Sequence, residues 1–117
     1  MEIVRTCNPI SLAIVINTIA IDDYILEVLM RDLVGHDRSP SAYLIYLHLW
    51  SQTVGRRLKV ARLSHRMIAD ATGLSKSAVQ VGMRILIRRR LVSARRGSPT
   101  AVPEYRIARP WLSSERL

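Results

Sequence analysis

The tetrapeptide TGLS at positions 72–75 constrains the fold of this chain more than any other short segment. It separates two segments with helical patterns, 65–72 and 76–90. Gly73 can adopt the positive φ that ends one helix, and the Ser75 hydroxyl can cap the first turn of the next. We therefore expect two helices joined by a tight turn.

The second of these helices has two distinct faces. Val79, Met83 and Leu86 recur at the spacing of a core-facing stripe. Gly82 lies on the same side and would let the two helices approach closely. The other face carries side chains that can form hydrogen bonds: Lys76, Ser77, Gln80 and Arg84. The first turn contains no carboxylate, although the helix dipole favours one there, so this end can accept a phosphate.

The charge of the chain is concentrated in its second half. The 117 residues carry a formal net charge of +9, but residues 1–55 hold three bases and six acids, a net −3. Residues 56–117 hold fifteen bases and three acids, a net +12, with no acid between Ala71 and Pro103. Such a surface suits a polyanion, nucleic acid first and an anionic membrane surface second. The bases spread over several predicted elements, which favours a folded surface over a membrane-binding helix.

Two further helices are expected upstream. The Asp pair at 22–23 can cap a helix over 23–34, with Gly35 as the left-handed residue beyond its end. Seven of its residues are bulky and apolar, so we expect its own domain or a second subunit to bury it on several sides. Ser-Pro at 39–40 is typical of a helix start and predicts a helix over 40–52.

Short strands complete the predicted elements. Residues 58–63 alternate weakly and predict one strand, and 92–97 with 104–108 predict a β-hairpin around a Ser-Pro turn. In the tail that follows, Trp111 and Leu112 are expected to pack back onto the domain.

The apolar run at 10–21 allows several interpretations. Its twelve residues are too few to span a bilayer, which takes about 20. It can be the core of a signal peptide, a buried strand, a segment that covers an apolar face, or the product of a misassigned translation start. With the apolar helix that follows, it also suggests a homodimer through 10–35.

The segment RLSHRMIADATGLSKSAVQVGMRILIRRRLV, followed by a basic hairpin, resembles the winged helix-turn-helix of bacterial transcription regulators in the style of the GntR and MarR families. The resemblance covers about residues 40–108. It implies a mainly α fold with a small β-wing, preceded here by an extra apolar segment and helix. We divide the chain accordingly into 1–38, a DNA-binding domain at 39–110 and a tail at 111–117.

The resemblance also implies which residues reach DNA. The helix 76–90 becomes the recognition helix and the hairpin 92–108 becomes the wing. The candidates for contacts with bases are Lys76, Ser77, Gln80 and Arg84. The candidates for contacts with phosphates, including those on the wing, are Arg62, Arg66, Ser75, Arg88, Arg95 and Arg96.

Some residues depart from the family pattern. Arg90 stands where glycine is common, so either a left-handed helix end there is strained or the helix ends differently. Val81, Ile85 and Ile87 are apolar where charges are usual, so part of the helix can face another protein. No ligand-sensing domain is expected after the wing, since nine residues follow Ala108.

These features predict sequence-specific binding to double-stranded DNA by a homodimeric transcriptional regulator in the cytoplasm, associated with the nucleoid. Two alternatives remain, a plasmid replication-initiator or partition module and a winged-helix module that binds a protein. No enzyme, cofactor, metal site, membrane association or small-molecule ligand is expected. The histidines and the single cysteine are scattered, and the second half has one histidine and three isolated acids for catalysis.

Overall fold

The computed structural model describes residues 18–112. Over this range the chain is mainly helical with a small three-stranded antiparallel sheet. The elements are α1 (residues 23–36), α2 (Pro40–Gln52), a 3₁₀ turn (Val54–Arg56), β1 (Ala61–Arg62), α3 (His65–Thr72), α4 (Lys76–Arg88), β2 (Val92–Arg95) and β3 (Glu104–Ile107). Residues 10–17, for which the sequence allowed several interpretations, lie outside the described residues. Within them, no helix is long and apolar enough to cross a membrane.

Helix α1 forms where it was expected but ends differently. Its turns widen to π-helical hydrogen bonding over Ile25–Leu29 and Arg31–His36. Gly35 lies inside the helix and does not have a positive φ, so its predicted role as the left-handed end is wrong. Arg38, two residues past the helix, takes the left-handed conformation with a φ of 53°.

Helix α2 has the predicted bounds and lies at the centre of the core. The Ser39 hydroxyl accepts a hydrogen bond from the Ala42 backbone N–H at 3.3 Å, and Pro40 opens the first turn. Ile45, Tyr46 and Leu49 are fully buried. Helix α1 packs against α2 through one buried stripe, Ile25, Leu29 and Leu33.

The turn between α3 and α4 confirms the interpretation of TGLS. Helix α3 ends at Gly73, whose φ is 81°, and Ser75 caps α4 by accepting from the Ala78 N–H at 3.1 Å. Ser64 caps α3 in the same way through Met67. A glycine at the left-handed position and a hydroxyl at each helix start therefore fix where both helices begin and where α3 ends.

The buried face of α4 packs mainly on α2. Val79, Met83 and Leu86 are buried as predicted. A Cβ built on Gly82 would lie 3.1 Å from the Ala42 backbone nitrogen and 2.7 Å from the Ile45 Cδ1 atom. The close approach at Gly82 is therefore made with α2, and the expectation that it serves the α3–α4 pair is wrong.

The sheet has the order β1–β3–β2, and its strands are shorter than predicted. Only Ala61–Arg62 of the expected 58–63 pairs, with Tyr105 and Glu104 opposite. Strand β2 pairs with β3 from Val92 opposite Ile107 to Arg95 opposite Glu104. One face buries Val92, Tyr105 and Ile107, and on the other face Ser93, Arg95 and Arg106 are exposed and Glu104 is half-buried.

The C-terminal segment is tied to α1 and α2. The Trp111 ring stacks on Tyr24 at 4.7 Å, which confirms that Trp111 packs back. The Trp111 Nε1 and the Arg109 guanidinium both donate to Asp22. Burial alone would raise the pKa of Asp22, but these hydrogen bonds and the charge of Arg109 hold it below its usual value. The carboxylate therefore stabilises the fold above the unfolded-state pKa, and this contribution is lost as the pH falls.

Helix α4 ends at Arg88, two residues earlier than predicted, and Arg90 has a left-handed φ of 59°. This is the strained helix end that the sequence suggested for a non-glycine residue.

Arg90→Gly is therefore expected to raise the free energy of unfolding by about 0.5–1 kcal/mol, because it removes left-handed strain at a smaller entropic cost. Urea unfolding measures the change. Arg88→Gly, at a right-handed helical position, is the control and should lower stability by a similar amount. Equal destabilisation by both variants would contradict the account.

Candidate nucleic-acid interface

The exposed face of α4 carries four of the predicted contact residues. Ser77, Gln80, Arg84 and Arg88 are all exposed and recur three or four residues apart, which places them on one side of the helix. The core stripe occupies the opposite side. A rigid helix packed on α2 therefore presents these side chains at fixed positions.

A groove of about 530 Å³ runs between α4 and the β2–β3 hairpin. Its apolar lining includes Met83, Ile87 and Tyr105, and its polar lining includes Gln80 and Arg84 from α4. Arg95 and Arg96 line it from the hairpin side. The structure therefore brings predicted helix contacts and predicted hairpin contacts to the two walls of one groove.

A second, smaller pocket of about 320 Å³ adjoins this groove at the helix starts. Arg66 of α3, Lys76 of α4 and Arg96 of the hairpin line it together. Arg96 also donates to the Pro99 carbonyl oxygen at 3.1 Å, which holds its guanidinium near the hairpin turn. Three cations from three elements thus line one pocket, and one of them, Lys76, is the first residue of α4.

His65 belongs to both pockets, although the sequence did not identify it as a site residue. Burial lowers the pKa of the imidazole, and the positive charges of Arg96 and Lys76 lower it further. The charges of Arg96 and Lys76 therefore act on the His65 ring, which lies where α3, α4 and the hairpin meet. In the sequence, the only notable feature of His65 is that it directly follows the Ser64 cap. That position does not indicate a site residue.

Arg62 lies apart from the α4 groove. It is on β1, where its guanidinium donates to the Glu104 carboxylate at 3.2 Å. Arg95 on β2 lies opposite Glu104 in the strand register, so this acid of the central strand has an arginine across from it on each neighbouring strand. Arg62 and Arg95 also line a third groove of about 510 Å³ along the hairpin. The structure places Arg62 with the hairpin and not with Arg66 at the start of α3.

The first turn of α4 uses its hydroxyl groups locally. Ser75 Oγ accepts from the Ala78 N–H and lies 3.3 Å from Ser77 Oγ. Both serines are exposed, and the turn contains no acid. The first turn of α4 thus contains no carboxylate to balance the positive end of the helix dipole.

The three consecutive arginines at 88–90 make different contacts at the carboxyl end of α4. Arg88 is exposed on the same side as Arg84. Arg89 binds the Asp37 carboxylate at 2.6 Å and approaches Asp32 at 3.7 Å, which ties α4 to α1. Arg90 forms the left-handed turn. Arg88 is therefore the member of this run whose position suits an external contact.

The apolar residues of α4 that departed from the family pattern separate in the structure. Ile85 packs against the core, whereas Val81 and Ile87 are exposed. Ile87 lines the α4–hairpin groove, but Val81 does not line it.

Comparison with known proteins adds no assignment. Neither protein-family models, curated proteins nor solved structures give a match to this chain.

Among residues 18–112, no cluster of three or more histidine, cysteine or acidic side chains could hold a metal ion.

Proposed function

We propose that this chain binds double-stranded DNA sequence-specifically through a winged helix-turn-helix and regulates transcription. The observation that carries the proposal is the joint lining of the α4–hairpin groove by Gln80, Arg84, Arg95 and Arg96. The adjoining pocket adds Arg66 and Lys76. No acid occurs between Ala71 and Pro103, so these cations face a partner without a competing carboxylate from that segment.

Helix α4 acts as the recognition helix in this proposal. A helix about 10–12 Å across fits the major groove, which is about 12 Å wide. Gln80 can form two hydrogen bonds with adenine, and Arg84 can form two with guanine. Lys76 and Ser77 approach base edges from the first turn.

The cations around α4 supply affinity that does not depend on sequence. Arg66 and the amino end of α4 face one phosphate strand, and Arg95 and Arg96 of the wing face phosphates beyond the groove. Ser75 and Arg88 extend this contact at the two ends of α4, and Arg62 extends it along the wing. With about seven phosphates neutralised, log K should fall with log salt at a slope of about −6.

A homodimer is part of the proposal. Leu26, Met30 and Val34 recur every four residues on α1 and are exposed beside the stripe that packs on α2. A second copy packed on this face would bury it. Two copies related by a twofold axis would bind two half-sites about 10–10.5 base pairs apart, or a multiple of that distance.

Gln80→Ala tests the proposed base contact. We expect a loss of about 1–3 kcal/mol on a site enriched from random duplexes and almost no loss on random DNA, because only base contacts distinguish the two. Fluorescence anisotropy at constant salt measures both affinities. Gln52→Ala on α2 is the matched control and should bind like the wild type. Equal losses on both DNAs would remove Gln80 from base recognition.

A further inference from the structure

Val81 is the one residue on the outward face of α4 whose type the proposed hydrogen bonding does not explain. Its side chain is 46% exposed, on a helix whose core side is already filled. It follows Gln80 directly and lies one turn before Arg84 and one turn after Ser77. An exposed valine there contributes nothing to the core and cannot form hydrogen bonds.

The surroundings of Val81 do not suit a protein-binding patch. Ile87, the other exposed isoleucine or valine of α4, lies roughly 120° away around the helix and faces the groove. The helix-surface neighbours of Val81, three and four residues away, are Ser77, Ala78, Arg84 and Ile85. Ala78 is small and half-buried, and Ile85 is half-buried and packs against the core, so neither extends Val81 into an exposed apolar patch of a few hundred Å². An exposed valine next to Ser77 and Arg84 is instead matched to a small apolar group on a polyanion.

The major groove of DNA offers one apolar group of this kind, the C5 methyl of thymine. We infer that Val81 is a specificity-determining residue that packs against a thymine methyl when α4 lies in the major groove. The inference rests on the proposed DNA-binding function. Because Val81 adjoins Gln80, whose amide is suited to adenine, the two side chains together select A·T pairs at neighbouring positions of the half-site.

Substitution of uracil for thymine tests this contact without changing base pairing, since uracil lacks only the C5 methyl. In a duplex enriched by the wild-type protein, each thymine is replaced in turn and the affinity is measured. We expect one position per half-site at which uracil weakens binding about fourfold, the equivalent of one methyl group returned to water.

Val81→Ala decides whether Val81 is the residue that reads this methyl. The variant should bind the thymine duplex several-fold less tightly and should no longer distinguish thymine from uracil at that position. Leu58→Ala, at an exposed apolar residue that lines none of the three grooves and pockets described above, is the matched control and should keep the full distinction. Alanine is a good helix former and the position is exposed, so the variant is expected to fold.

The outcomes separate this inference from the proposed function. If the wild type enriches a duplex but distinguishes no thymine from uracil, or if Val81→Ala keeps the distinction, the Val81 contact is wrong while DNA binding stands. The same holds if Val81→Ala binds the thymine duplex as tightly as the wild type does. If no duplex is enriched at all, both the inference and the proposed function fail.

Discussion

The double variant Arg84→Glu/Arg96→Glu is expected to lose duplex affinity by about 100- to 1,000-fold at about 150 mM salt. Loss of the Arg96 phosphate contact costs roughly fivefold at this salt concentration through counterion release. Loss of the Arg84 contact with guanine costs about 1–3 kcal/mol, and each reversal of charge also adds a repulsion. The two residues belong to opposite walls of the α4–hairpin groove, one from the helix and one from the hairpin. Titration of a labelled duplex at several salt concentrations should also give a shallower slope.

A matched control separates local contact from total charge. Arg56→Glu/Lys59→Glu changes the net charge by the same four units on exposed residues that do not line this groove. Lys59 precedes β1, and the pairing of Ala61 with Tyr105 places it towards the end of the sheet remote from the hairpin turn. This control should lose much less affinity. Equal losses from the two double variants would mean that overall charge, and not this groove, determines binding.

Gly82→Leu is expected to lower the free energy of unfolding by about 3 kcal/mol, a large share of the stability of a small domain. The added side chain would push into the Ala42 backbone of α2, and that backbone cannot move without opening the core. Ile45 can rotate away, but the contacts of 3.1 and 3.2 Å with Ala42 remain. Thermal and urea unfolding measure the effect.

Gly35→Leu is the matched control for this prediction. A Cβ at Gly35 meets no atom within 4 Å, and the residue lies in the last turn of α1. The same substitution should therefore be neutral or slightly stabilising through helix propensity. If Gly82→Leu were as stable as Gly35→Leu, the close packing of α4 on α2 would be wrong.

Sequence patterns located most of the helices because their ends depend on local chemistry. Ser39, Ser64 and Ser75 cap helices where the sequence placed them, and Gly73 supplies the left-handed turn. The prediction for Gly35 failed for a different reason. The chain continues its helix through Gly35 and reverses at Arg38, while Arg89 binds Asp32 and Asp37 from a distant part of the sequence. Such long-range contacts have no local sequence signal.

The candidate site was predictable in part for the same reason. The outward face of α4 follows from helical periodicity, so Ser77, Gln80 and Arg84 could be chosen directly. Which of the other cations join them depends on how the hairpin folds over α4. That tertiary arrangement added His65 to the site and placed Arg62 beside Glu104 instead. The strand register at Glu104 decides this placement, and composition does not reveal it.

Selection of bound sequences from a random duplex pool, at about 150 mM salt, tests the central claim most directly. The account predicts enrichment of one A·T-containing motif, present as an inverted repeat if two copies bind together. Arg84→Glu/Arg96→Glu should enrich nothing under the same conditions. A wild-type protein that enriches no motif, and binds all duplexes equally and weakly, would contradict the account.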